Sequence, residues 1–204
     1  MIDEGYIKFD SQWQRTEPLE NSEIETLKRW RRPLYEAGLI GFYAEHGIGF
    51  GNLSVRADKT GQFIISGTQT GHLREPGAEH YALVAEYDIG QNRVFSVGAT
   101  EASSESMTHA AIYELDPGIG AIVHVHSEDL WTALKGSAAT TDAEVAFGTP
   151  EMAREFHRLW NESDFRETRI AVMAGHEAGL VSTGGNLQEA AERILAIDAK
   201  QRNG

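Results

Sequence analysis

The sequence predicts a single mixed α/β domain built on a largely antiparallel sheet, and three observations predict it. Short runs rich in β-branched and aromatic residues, at 52–56, 62–66, 80–87 and 93–97, are separated mostly by turn-forming residues, as strands in hairpins are. Other segments carry apolar residues at helical spacing, such as Ile24, Leu27 and Leu34, or Met107, Ala110, Ala111 and Leu115. The 204 residues suffice for one full core and are few for two. Connections this short leave no room for the crossover helix of a parallel pair, so antiparallel pairing is expected.

Residues 1–20 are polar without a clear period and read as an N-terminal arm ahead of a domain at 21–204. Ser22 and Glu25 stand at capping-box spacing. Ile24, Leu27, Trp30 or Arg31, and Leu34 then line one helical face, which Gly38 can end. From Gly47 the texture changes to glycine and β-branched residues. The strands at 52–56 and 62–66 flank a turn at 58–61, and those at 80–87 and 93–97 flank Gly90. Helical spacing returns at 103–115 and stops at Asp116-Pro117-Gly118.

Ala121 to His126 is a compact apolar strand, 128–135 a helix, and 137–148 a loop of small polar residues. Thr149-Pro150 places a cap residue before a first-turn proline, which starts a helix over 151–160. Strands at 170–174 and 179–182 surround Gly175-His176. A final amphipathic helix runs from Asn186 to about residue 202, with Glu189 at its start.

Composition narrows the function. With 31 acidic and 18 basic residues the net charge is −13, which repels nucleic acid and anionic membranes. The expected partner is a small molecule, and an anionic one needs a local anion site. There is no cysteine, which excludes thiolate metal sites, thiol nucleophiles and iron–sulfur clusters, so a metal must use histidine and carboxylate. The first ten residues hold three acidic groups and no apolar run, and no stretch nears the ~20 apolar residues of a membrane span. The expected location is the cytoplasm.

The strongest chemical signal is His124-Val125-His126. Residues two apart on a strand share a face, so both imidazoles can grip one ion; a polar strand face that happens to bear two histidines is the plainer alternative. His176 sits in a glycine-flanked turn, and Glu105 opens the helix upstream of the His-x-His strand. Three histidines and a carboxylate make a plausible catalytic zinc set. His109, one helical turn from Glu105, shares its face; it could be a ligand itself, and is more readily a supporting contact behind the ligands or a core histidine. His72 and His80 flank a loop and could reach a pocket. His46 and His157 are expected on solvated helix faces or helix ends.

A second signal is a set of small-residue turns, Gly51-Asn52-Leu53-Ser54, Ser66-Gly67-Thr68-Gln69-Thr70-Gly71 and Ser103-Ser104. Each is ordinary turn chemistry. Together, with Ser103 and Ser104 just ahead of a helix, they point to an anion site made of neutral donors.

The order Gly-Asn-Leu-Ser (51–54), Ser-Gly-Thr (66–68), Ser-Ser-Glu-x-x-x-His (103–109), His-Val-His-Ser (124–127), Gly-His (175–176) and a terminal helix resembles the class II aldolase/adducin family. Its enzymes include fuculose-1-phosphate aldolase, rhamnulose-1-phosphate aldolase, ribulose-5-phosphate 4-epimerase and methylthioribulose-1-phosphate dehydratase. The resemblance spans about residues 22–202. It implies a three-layer α/β/α fold with a central, mainly antiparallel sheet, and a homotetramer with the site near a subunit boundary. It implies zinc (or Mn, Fe or Co) on His124, His126 and His176. Glu105 would be a movable carboxylate that ligates the metal or serves as acid/base. Asn52, Thr68, Ser103 and Ser104 would hold a substrate phosphate.

The expected activity is therefore a metal-dependent aldolase-type carbon–carbon lyase, acting through an enediolate on a small, phosphorylated sugar or hydroxy-carbonyl compound. The alternatives are an epimerase, dehydratase or decarboxylase on the same fold, or a non-catalytic domain like the adducin head. Two departures from the family pattern stand out. Glu177 follows the third histidine where glycine is common, adding a carboxylate near the metal. The aldolases' tyrosine after the last helix has no counterpart before Gly204.

Overall fold

The computed structural model describes residues 5–57 and 60–203. Among the described residues nine strands form one sheet in the order β1-β7-β6-β5-β4-β8-β11-β10-β9, and β2 (Gly41–Tyr43) pairs with β3 (Ile48–Phe50) in a separate hairpin. The central strands β4 (Asn52–Arg56), β5 (Phe63–Ser66), β6 (Tyr81–Asp88), β7 (Arg93–Gly98), β8 (Ala121–His126), β10 (Ile170–Val172) and β11 (Gly179–Gly184) are antiparallel to their neighbours. The two edge strands, β1 (Asp10–Arg15) and β9 (Ala139–Thr140), are parallel to β7 and β10.

Helices cover both faces, which makes three layers. On one side α1 (Asn21–Glu36), α3 (Glu128–Leu134) and α6 (Leu187–Arg202) bury Ile24, Leu27, Leu130, Leu187 and Ile194 against Val123, Val125 and Leu180 of the sheet. On the other, α2 (Ser106–Leu115), α4 (Pro150–Glu162) and α5 (Phe165–Thr168) bury Met107, Ile112, Met152 and Phe156 against Ile65, Val84 and Ile122. Alternation along β8 decides where the histidines go. Val123 and Val125 face the α1/α6 core, so Ile122, His124 and His126 face the other layer.

The structure departs from the sequence reading in several places. The polar lead-in contains β1, which extends the same sheet. Its side chains project mainly to solvent, so no apolar alternation marks it. Backbone pairing with β7 holds it, together with bonds from the Trp13 indole to the Gly98 carbonyl (3.1 Å) and from Ser11 Oγ to Glu101 (2.6 Å). The α1 cap uses Glu20 and Glu23 rather than Ser22 and Glu25: the Glu20 amide donates to the Glu23 carboxylate at 3.0 Å. The β2–β3 hairpin and α5 are additions to the elements expected from sequence. His46 sits exposed in the hairpin turn, not on a helix, while His157 is exposed on α4 as expected. Asp58 and Lys59, in the expected turn at 58–61, lie outside the described residues. No helix among the described residues is long and apolar enough to cross a membrane.

Candidate metal centre and anion recess

Strand register builds the centre. His124 pairs with Asn52 on β4 and Val181 on β11, and His126 pairs with Gly179. The 173–179 turn after β10 is closed by bonds from His176 N to Met173 O and from Gly179 N to His176 O. It brings His176 over the end of β8. Ala178 holds a left-handed φ of 62° there, strained for a residue with a Cβ.

The three imidazoles converge through their Nε2 atoms. Nε2 of His126 lies 3.1 Å from Nε2 of His124 and 3.1 Å from Nε2 of His176, and all three side chains are buried. Nitrogens on one tetrahedral ion, each at about 2.0–2.1 Å, stand about 3.3 Å apart, so the spacing fits a shared cation. The tautomers fit as well. His124 Nδ1 faces the Leu180 carbonyl at 3.1 Å, which fixes its proton on Nδ1 and leaves Nε2 bare toward the centre. Burial, followed by the neighbouring imidazoles, holds the pKa of His124 and of His126 well below 6.5. Both are therefore neutral and ready to ligate.

Glu105, at the N-terminal boundary of α2 and 1% exposed, points its Oε1 at the same place, 3.3 Å from His176 Nε2 and 3.8 Å from His124 Nε2. His109 lies behind this group. Its Nδ1 meets Ser54 Oγ at 2.7 Å, and the same hydroxyl meets Tyr113 Oη at 2.7 Å. Full burial lowers the His109 pKa to about 3, so it is neutral and supports packing rather than supplying charge.

Two aromatic groups here gave no signal in the sequence. Tyr43 Oη lies 3.1 Å from His126 Nδ1, and Phe50 packs against both rings, its centroid 4.4 Å from that of Tyr43 and 5.5 Å from that of His126. Both come from the β2–β3 hairpin, which a pattern of isolated glycines and aromatics concealed. Phe147 packs on His176 at 4.3 Å, with Lys8 Nζ 3.7 Å from the centroid of its ring.

Beside the centre is a small polar recess, lined by Asn52, Gly67, Gln69, Thr70, Ser103 and Ser104 with Gly5, Gly49, Gly51 and Gly71. Asn52 Oδ1 is buried there and has no hydrogen-bond partner among the described residues, which marks a group waiting for a donor. Three of the four expected phosphate residues thus share one recess. Thr68 does not line it. Its amide is tied to the Glu101 carbonyl at 2.9 Å, and Gln69 and Thr70 take its place. His72 is exposed and His80 half-buried, and neither lines the recess. Glu177 is exposed in the 173–179 turn.

A profile of the Class II Aldolase and Adducin N-terminal domain matches residues 39–200. The chain belongs to the class II aldolase/adducin family. Solved structures of similar fold include YgbL from Klebsiella pneumoniae, described as a candidate aldolase/epimerase/decarboxylase (21% identity, TM-score 0.65, covering 89% of this chain and 87% of that one). An L-fuculose-1-phosphate aldolase from Thermus thermophilus matches at 21% identity and TM-score 0.63, covering 90% of this chain and 92% of that one. A sugar-phosphate aldolase from Thermotoga maritima matches at 17% identity and TM-score 0.66, covering 89% and 93%. No curated protein sequence matches this chain. Class II aldolases are metal-dependent, and the buried His124, His126 and His176 form a group able to hold a metal ion.

Proposed function

We propose that this family member is a divalent-metal-dependent carbon–carbon lyase of the aldolase type, acting on a small phosphorylated sugar or hydroxy-carbonyl compound. The observation that carries the reading is the convergence of three imidazole nitrogens and one buried carboxylate beside a recess of neutral donors. His124, His126 and His176 would hold the cation, zinc in the first instance, with Mn, Fe or Co accepted by the same donor set. When bound, the cation supplies Lewis acidity to a substrate carbonyl or hydroxyl oxygen.

The remaining work falls to residues of this chain. Asn52, Ser103 and Ser104 hold the phosphate and so place the reacting carbons next to Glu105. Glu105 moves the proton: it takes it from the hydroxyl on the carbon that leaves as an aldehyde, and returns it to the carbon left behind. Burial of Glu105 and Phe147 keeps water from that step.

In this reading residues 21–204 form the catalytic domain and 1–20 an N-terminal arm. The same reading takes the protein to be a cytoplasmic homotetramer. Turnover of a panel of sugar phosphates and hydroxy acids by zinc-loaded protein tests the reaction. Aldehyde or ketone products support a lyase. Epimerised, dehydrated or decarboxylated products without cleavage replace that class with another.

A further inference from the structure

Arg31 is buried completely in α1, yet its bonds are to carbonyl oxygens rather than to a carboxylate. Its Nη2 donates to Thr70 O at 2.7 Å and to Gly71 O at 3.2 Å, and its Nε donates to Leu73 O at 2.8 Å. Nη1 is buried with no partner among the described residues, and so is the hydroxyl of Tyr81, which lies within electrostatic reach of the guanidinium. No ion pair to Arg31 occurs among the described residues, in a chain of net charge −13. Burying an unpaired charge costs several kcal/mol, and burial alone lowers the Arg31 pKa. A fold that keeps such a cation has a use for it.

The carbonyls that Arg31 holds belong to the loop that lines the recess, where Gly67, Gln69, Thr70 and Gly71 stand. The rest of that loop is equally fixed. Gln69 keeps a left-handed φ of 59°, and its side-chain oxygen accepts from the Gly49 amide at 3.3 Å. A Cβ on Gly71 would lie 2.3 Å from Gly41 O and 2.5 Å from Phe50 N, so the loop packs backbone to backbone on the β2–β3 hairpin. Arg31 therefore pins the recess from behind and leaves a positive charge just beneath its wall.

We infer that Arg31 is a positioning residue for anion binding, and that an anionic group of the substrate seated among Asn52, Ser103 and Ser104 is the counter-charge of its buried guanidinium. This rests on reading that recess as the substrate's anion site. It adds a role for a residue that lies behind the wall of that recess rather than in its lining.

Inorganic phosphate, titrated into the metal-loaded full chain by calorimetry, tests the inference on wild type, Arg31→Met and Arg31→Lys. Metal content and unfolding midpoint are measured on each. Wild type is expected to bind phosphate, Arg31→Met to bind it about tenfold more weakly or worse, and Arg31→Lys to fall between, all with unchanged metal content. A purely structural role would lower the unfolding midpoint and leave phosphate affinity untouched, and Arg31→Met within twofold of wild type overturns the inference. If Arg31→Met does not fold, Arg31→Lys decides: weakened binding supports the inference and unchanged binding overturns it. A wild type that holds metal but no phosphate overturns both this inference and the anion reading of the recess, and leaves the metal reading standing.

Discussion

Glu105 and His176 meet at 3.3 Å, Oε1 to Nε2, with both side chains at most 5% exposed. A carboxylate so placed can either complete a metal's ligand set or leave it and carry a proton. Glu105→Gln keeps the shape and removes the charge. Zinc content should persist with weaker affinity, while turnover falls by about 10²–10⁴. Metal analysis beside product assay checks this, and full activity in the variant would show that another group moves the proton.

Tyr43 reaches His126 from the opposite side. With His126 Nε2 turned to the centre, its Nδ1 carries the proton and donates to Tyr43 Oη at 3.1 Å. That bond fixes both tautomer and ring orientation. Tyr43→Phe should weaken zinc affinity by about tenfold and leave the unfolding midpoint of the metal-free protein nearly unchanged. Competition with a coloured chelator measures it, and an unaltered affinity would reduce Tyr43 to packing.

Acid stability follows from His109. Its pKa falls from 6.5 to about 3 through burial, so the folded protein keeps it neutral while the unfolded chain protonates it below pH 6.5. Stability is therefore full above pH 6.5 and declines as pH drops toward 3, by up to about 1.4 kcal/mol per pH unit for this residue. His124 and His126 are lowered for the same first reason and add in the same direction in metal-free protein. Urea midpoints between pH 7 and 4 should fall for wild type, and His109→Gln should flatten the slope. A wild-type midpoint independent of pH would contradict a neutral, buried His109.

The recess makes its own prediction. Asn52→Ala and Ser103→Ala should each raise the KM of a phosphorylated substrate about tenfold while leaving zinc content intact, since each removes one donor, Asn52 Nδ2 or the Ser103 hydroxyl, to a charged group. Because Asn52 pairs across the sheet from His124, zinc analysis on the Asn52 variant is the necessary control.

Much of this was legible in the sequence, and the reasons are local. His124 and His126 announce themselves because a strand's period of two puts them on one face. Asn186 and Thr149 announce helix starts because their side chains accept from Glu189 N and Met152 N, as cap residues do. What escaped reading depended on contacts distant in the chain. Strand β1 carries no apolar alternation because its side chains meet mainly water. Tyr43 lies 83 residues from His126, and the packing of Gly71 against Gly41 and Phe50 helps lay the β2–β3 hairpin beside the recess. Arg31 appears in sequence as one more residue on an amphipathic helix. Its lack of an acidic partner among the described residues is visible only once α1 is docked. Thr68 lies inside the suggestive motif, but its amide is bonded to Glu101, and Gln69 and Thr70 line the recess in its stead.

The central claim is that His124, His126 and His176 hold a catalytic cation. Metal content per chain on tag-free protein, wild type beside a His124→Ala/His126→Ala double variant, tests it most directly. About one zinc or related ion per wild-type chain, lost in the double variant while the fold is retained, is the predicted result. No bound metal in wild type, even after incubation with zinc, would contradict it and leave a class II aldolase/adducin domain whose role is binding rather than catalysis.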